Sequence, residues 1–163
     1  LNIEKKLLSL KPKGIIFSGG NDLYNIIKLK ENLVRDKFEL KLLKFSIKNK
    51  IPVLAVCRGF QLVAKFFKSQ IVKKGNHVRS NHILNVKNRI SGFKINKIKV
   101  NSYHNYTVNS LPKYFNLIVR CSDNSIEIAK SDKYKILNFM FHPERSNISQ
   151  EKINKIVFSH FKI

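Results

Sequence analysis

Apolar residues along this chain recur at two spacings, and the alternation between them outlines its elements. Ile15, Ile16 and Phe17 make a short apolar run over 14–17 that closes on Gly19-Gly20, as a buried strand ending in a tight turn does. Over 31–48, Leu33, Val34, Phe38, Leu42, Phe45 and Ile47 fall at helical spacing. A continuous apolar strand follows over 51–56, and then a second helical pattern carries Phe60, Val63, Ala64 and Phe67 toward the sheet. Further strands are expected over 83–86, 95–100, 117–121, 126–129 and 136–141, and a last helix over 150–161. Strands first alternate with helices and then succeed one another. That order predicts an α/β chain with a mostly parallel three-layer sheet and an antiparallel extension.

Two strand ends carry candidate chemistry. Ala55-Val56-Cys57-Arg58-Gly59 places a cysteine on a strand-to-helix turn, with small residues two positions to either side so that the turn can close. Eighty-five residues later another apolar strand runs into His142-Pro143-Glu144. A thiol needs a base to become a nucleophile, and a base needs a partner that fixes its tautomer. Cys57, His142 and Glu144 supply that set, and a neighbouring imidazole with a helix N-terminus is expected to lower the thiol pKa. A buried cysteine at a strand end can also be an inert small hydrophobe. Ligands of open α/β sheets bind beyond the carboxyl ends of the strands, where Gly19, Gly20, Cys57 and His142 all fall.

Four blocks in fixed order carry a family resemblance: Phe17-Ser18-Gly19-Gly20-Asn21-Asp22, Ile51 to Gln61 around Cys57-Arg58-Gly59, Val100-Asn101-Ser102-Tyr103-His104-Asn105, and Phe141-His142-Pro143-Glu144. The chain resembles the class I glutamine amidotransferase superfamily, and within it the gamma-glutamyl hydrolase branch. Ser18 to Asp22, Gly75-Asn76-His77, Ser102 to Asn105, Asp123 to Glu127 and His142 to Arg145 narrow the resemblance toward hydrolases of gamma-glutamyl-CDP-amidate, which act in capsular polysaccharide phosphoramidate synthesis. Ala55 stands where the family has glycine, and Phe141 where it often has tryptophan. The family also has a first strand and helix ahead of the Gly-Gly block, which this chain, beginning at Leu1, is expected to lack, together with one sheet edge and part of the pocket.

The resemblance implies a flavodoxin-like three-layer fold and a cysteine hydrolase that cleaves a gamma-glutamyl amide through a glutamyl thioester, using Cys57, His142 and Glu144. Backbone N–H groups of Gly20 or Asn21 and of Arg58 would form the oxyanion hole. Gln61 would hold the glutamyl moiety, Ser102 and His104 would line the pocket, and Arg145 would pair with a phosphate or carboxylate. The implied partner is a small gamma-glutamyl substrate, nucleotide-linked in the narrower reading. No cofactor and no metal is expected: His77 and His82 read as surface residues, and Asp123 and Glu127 as turn and strand-surface residues. Two other readings stay open: a glutaminase subunit supplying ammonia to a separate synthetase, and a non-catalytic basic fragment that binds nucleic acid.

Composition changes this picture little. The 163 residues are expected to form one domain over 1–163, without repeats or linker, long enough to bury roughly 70% of the surface the unfolded chain exposes. Cys57 and Cys121 have no metal-ligand or disulfide spacing, and no apolar run reaches transmembrane length, so the chain reads as cytoplasmic. A formal net charge of +22 points to nucleic acid where lysines are clustered. Here they are scattered among Asn and Ile, as an AT-rich coding bias would leave them, and the positive field would also attract an anionic substrate.

Overall fold

The computed structural model describes residues 3–86, 96–145 and 148–163. Helix α1 (Ile3–Leu10) leads into β1 (Ile15–Phe17), then α2 (Lys30–Lys48), β2 (Val53–Val56) and α3 (Arg58–Phe66). There follow β3 (Ile71–Lys73), β4 (Val78–Asn85), β5 (Lys97–Tyr103), β6 (Tyr106–Val108), β7 (Asn116–Arg120), β8 (Ile126–Ser131), β9 (Ile136–Phe139) and α4 (Gln150–Phe161). The main sheet has the order β1-β2-β9-β8-β7. Its first three strands are parallel, with Leu54 opposite Ile16 and Leu137, whereas β8 and β7 run antiparallel. Two-stranded antiparallel pairs β3-β6 and β4-β5 flank it.

β2 and β9 are buried along their whole length because both faces of the sheet are covered. On one face Leu54, Val56, Leu137 and Phe139 pack against Ile153 and Ile156 of α4 and against Leu84, Ile98 and Val100 of the β4-β5 pair. On the other, Val53, Ala55 and Ile136 meet Leu43 of α2 and Leu62 and Val63 of α3. The three layers expected from the order of elements are therefore present. No described helix is long and apolar enough to cross a membrane.

Several expected boundaries shift. α1, β3 and β6 have no counterpart in the sequence reading, and the strand expected over 83–86 begins at Val78. Of the strand expected over 95–100, Ile95 lies outside the described residues, and β5 continues to Tyr103.

The largest difference concerns the face that α2 buries. Val34 and Phe38, members of its apolar stripe, are 62% and 50% exposed, while Asn32, Asp36 and Glu39 are buried. The reason is ionic. Arg58, 1% exposed at the start of α3, donates to Asp36 Oδ1 at 2.5 Å and to Glu39 Oε2. Lys65 Nζ reaches Asp36 Oδ2 at 3.0 Å, and Arg35 Nε reaches Glu39 Oε1 at 2.8 Å. Asp36 Oδ2 also accepts the backbone N–H of Tyr24 at 3.2 Å. A buried guanidinium is tolerated only when matched by carboxylates, so this network dictates how α2 sits on α3.

Removing one member of such a network leaves uncompensated buried charge. Arg58→Met should lower the unfolding free energy by about 3–5 kcal/mol, measured by urea denaturation, whereas Lys48→Met at the exposed end of α2 should change it by less than about 0.5 kcal/mol.

Candidate active site

Cys57 follows β2 directly and precedes α3, and its backbone takes φ 50° and ψ −104°. A side chain at positive φ is strained, at a cost on the order of 1–3 kcal/mol. The surroundings impose it. The Cys57 N–H donates to Phe139 O at 2.7 Å, extending the β2-β9 ladder one residue past the strand, while Gln61 N–H donates to Cys57 O at 3.1 Å and starts the helix. Gly59 completes the turn: a Cβ there would collide with the backbone carbonyl oxygen of Phe17 on β1. Ala55, the small residue on the other side, is fully buried between Phe17 and Asn138.

His142 lies three residues beyond Phe139, at the carboxyl end of the neighbouring strand. Its Nδ1 is 2.6 Å from Glu144 Oε1. Burial works to raise the Glu144 pKa, but the hydrogen bond from His142 and the charges of His142 and Arg145 hold it below the ordinary carboxylate value. An ionised Glu144 accepts the Nδ1 proton, which leaves Nε2 as the basic nitrogen. The backbone of His142 is pinned on both sides by one side chain: its N–H donates to Asn101 Oδ1 and its carbonyl accepts from Asn101 Nδ2, each at 2.9 Å. Gly19 abuts the imidazole, where a Cβ would come within 2.5 Å of Cε1. Tyr103 meets the ring edge-on at 5.9 Å between centroids.

The loop after β1 is braced from behind. Arg35 Nη2 donates to Ser18 O at 3.1 Å and to Gly19 O at 3.0 Å, and the Arg35 guanidinium fills the space a Cβ at Gly20 would need. Gly20 has φ 140°, which glycine adopts without strain. Asn21 follows it in an exposed position. The N–H of Arg58 hydrogen-bonds the Cys57 thiol and favours its ionised form.

That bond does not prevail. Burial pushes the Cys57 thiol up to about 12, and the negative charges of Glu144, Glu127 and Asp22 add to the shift. The lowered thiol pKa expected from the sequence is thus corrected: a buried thiol among carboxylates rests protonated, so any nucleophilic role requires its proton to leave as the sulfur attacks. Asp22 is itself raised by burial, with Arg58 opposing.

The remaining expected residues divide. Gln61 is buried, its Nε2 donates to Tyr106 O at 3.0 Å, and its Oε1 has no hydrogen-bond partner. Arg145 is exposed, with its guanidinium 4.1 Å from the centre of the Tyr103 ring. Ser102 and His104, expected to line the pocket, are buried. Strand alternation along β5 turns Tyr103 to the site and Ser102 inward, where its Oγ donates to His77 O at 2.7 Å. His104 is 3% exposed and lies 3.8 Å from Glu127 Oε1. His77 and Glu127, read as surface residues, are buried at 2% and 0%. Asn101, Tyr103 and Arg35 are contributors that sequence reasoning did not single out, although the first two lie in a block that carried the resemblance.

Comparison with known proteins shows the family. The sequence model of glutamine amidotransferase class I matches residues 1–162. The chain belongs to the class I glutamine amidotransferases. Among relatives of this family member, a gamma-glutamyl-CDP-amidate hydrolase of Campylobacter jejuni is 32% identical over 155 residues, covering 92% of this chain and 72% of that one. A glutamine-hydrolysing GMP synthase subunit of Pyrococcus furiosus is 30% identical over 141 residues, covering 85% and 70%. A solved structure from Thermoplasma acidophilum, described as a candidate GMP synthase subunit, shares the amidotransferase fold with a TM-score of 0.78 at 20% identity, covering 98% of this chain and 76% of the other.

The thiol of the free amidotransferase should alkylate slowly near neutrality. Because the folded pKa lies above the ordinary thiol value, the thiolate fraction grows with pH all the way toward 12. The rate of iodoacetamide modification of Cys57 should therefore climb without levelling from about pH 7 to about pH 10. A plateau near neutrality, read by peptide mass spectrometry, would contradict the protonated resting state.

Proposed function

We propose that this chain is a cysteine-dependent hydrolase of gamma-glutamyl amides that needs no synthetase partner, with a nucleotide-linked amide of the gamma-glutamyl-CDP-amidate type as substrate. The observation that carries the reading is the 2.6 Å His142–Glu144 pair at the strand end beside the strained Cys57 turn. Cys57 Sγ attacks the gamma-carbonyl of the glutamyl group while His142 Nε2 takes the thiol proton, a transfer that the high thiol pKa requires to accompany attack. The C–N bond breaks as His142 returns that proton to the leaving nitrogen, and a glutamyl thioester remains on Cys57. Water, deprotonated by His142, then attacks the thioester and releases glutamate with regeneration of the thiol. Glu144 keeps the imidazole in the required tautomer throughout.

The tetrahedral oxyanion is received by the N–H of Arg58 together with the N–H of Gly20 or Asn21. Gln61 Oε1, buried and without a hydrogen-bond partner, is an acceptor suited to the substrate's α-ammonium group. Arg145 at the rim suits a phosphate of the leaving group, and the net charge of +22 favours approach of an anion. The hydrolase from Campylobacter jejuni, similar over 92% of this chain, supports the leaving group named here.

A second reading has a specific observation behind it. The similarity to a glutamine-hydrolysing GMP synthase subunit favours a glutaminase whose ammonia goes to a separate synthetase. The two readings differ in what the isolated chain does. Glutamate release from glutamine, a gamma-glutamyl amine, a gamma-glutamyl dipeptide and gamma-glutamyl-CDP-amidate should be highest for the last, and should fall at least about 1000-fold in Cys57→Ala. Release from glutamine alone, or none from any member by folded protein, would overturn the stand-alone hydrolase.

A further inference from the structure

We propose that His77, His104 and Glu127 form a binding site for one divalent transition-metal cation of the zinc class, linking the three sheets. His77 leads into β4, His104 sits in the turn between β5 and β6, and Glu127 lies on β8. One potential ligand atom from each lies within 4.8 Å of the others, and all three residues are buried. Metal bonds to nitrogen and carboxylate oxygen are about 2.0–2.2 Å long, so side-chain movements on the order of 1 Å would bring the donors onto a common centre.

The strongest argument is what these atoms otherwise lack. His77 Nδ1, both ring nitrogens of His104 and both carboxylate oxygens of Glu127 are buried without a hydrogen-bond partner. Buried polar groups are almost always bonded, and each orphan costs on the order of 1–3 kcal/mol. One atom from each of two imidazoles and a carboxylate lies close to the others, and the three form a donor set suited to zinc-class cations.

The outer shell has the corresponding form. His77 Nε2 donates to Asp123 Oδ2 at 2.8 Å, which fixes the tautomer that leaves the Nδ1 lone pair directed inward. Asp123 is held in turn by Ser125, whose N–H and Oγ–H donate to Asp123 Oδ1 at 3.0 Å and 2.6 Å. A carboxylate behind a ligating imidazole orients it and raises its basicity. Both ligand backbones are set by the same carbonyl: His77 O accepts from His104 N–H at 3.0 Å and from Ser102 Oγ at 2.7 Å.

Access is also present. A cavity of about 410 Å³, lined in part by His77, His82, Cys121 and Asp123, reaches this corner. The His82 ring lies 4.5 Å from that of His77, tilted by 46°, and its Nε2 is buried without a hydrogen-bond partner. A water from the cavity would complete a tetrahedral shell.

The test uses the full chain carrying Cys57→Ser, so that the candidate catalytic thiol takes no metal, after treatment with chelator. Equilibrium dialysis against Zn²⁺, with Co²⁺ absorption as a second readout, should give one bound equivalent. Adding Glu127→Gln should weaken binding at least about 100-fold, and adding Asp123→Asn should weaken it about 10- to 100-fold. Adding His142→Ala should leave it unchanged. Circular dichroism checks each fold; should Glu127→Gln unfold, the more exposed Asp123→Asn decides. No binding by the folded chain, binding indifferent to Asp123 and Glu127, or binding lost with His142→Ala would overturn the site.

Discussion

The turn at Cys57 is held at φ 50° and ψ −104° by groups drawn from three different elements, and the rest of the site takes its position from that turn. The β9 carbonyl of Phe139 holds its N–H, the carbonyl of Phe17 on β1 leaves room for no side chain at position 59, and the carboxylates of Asp36 and Glu39 on α2 clamp the residue that follows. None of these contacts works alone. A strained conformation persists when its neighbours over-determine it, and here the two strands flanking β2 and the helix behind it all do so. The same acidic pair reaches the loop after β1 through Arg35 and the N–H of Tyr24. One buried ionic network therefore sets both the thiol-bearing turn and the loop facing it.

Much of this was legible in the sequence for identifiable reasons. β2 and β9 are unbroken apolar runs, and central parallel strands demand such runs. Small residues around Cys57 and the His142-x-Glu144 spacing signalled geometry that is purely local. α2 forms where its apolar spacing placed it, but periodicity registers apolar residues only and gave no sign that its buried face also carries Asp36 and Glu39, matched by Arg58 nineteen or more positions away. β3 and β6 span three residues each, too few for a period to register. The histidine cluster was invisible for a different reason: His77 and Glu127 are separated by fifty positions, and only the antiparallel pairings bring them together. Ser102 and His104, placed near the pocket by resemblance, are buried, while the pleat of β5 turns Tyr103 outward against His142.

Electrostatics divides the site into two halves. Cys57 sits in a buried setting surrounded by carboxylates, which keeps the sulfur protonated and inert until something accepts its proton. His142 stands beside an ionised Glu144, with both of its backbone groups fixed by Asn101. A thiol kept protonated in this way is slow to be oxidised or alkylated.

The most direct measurement is acid quenching of the protein a few milliseconds to seconds after mixing with gamma-glutamyl-CDP-amidate, followed by peptide mass spectrometry. The account predicts a glutamyl thioester on the peptide carrying Cys57, absent from Cys57→Ala and strongly reduced in His142→Ala. Glutamate released with no adduct on Cys57, or an adduct on Cys121, would contradict it.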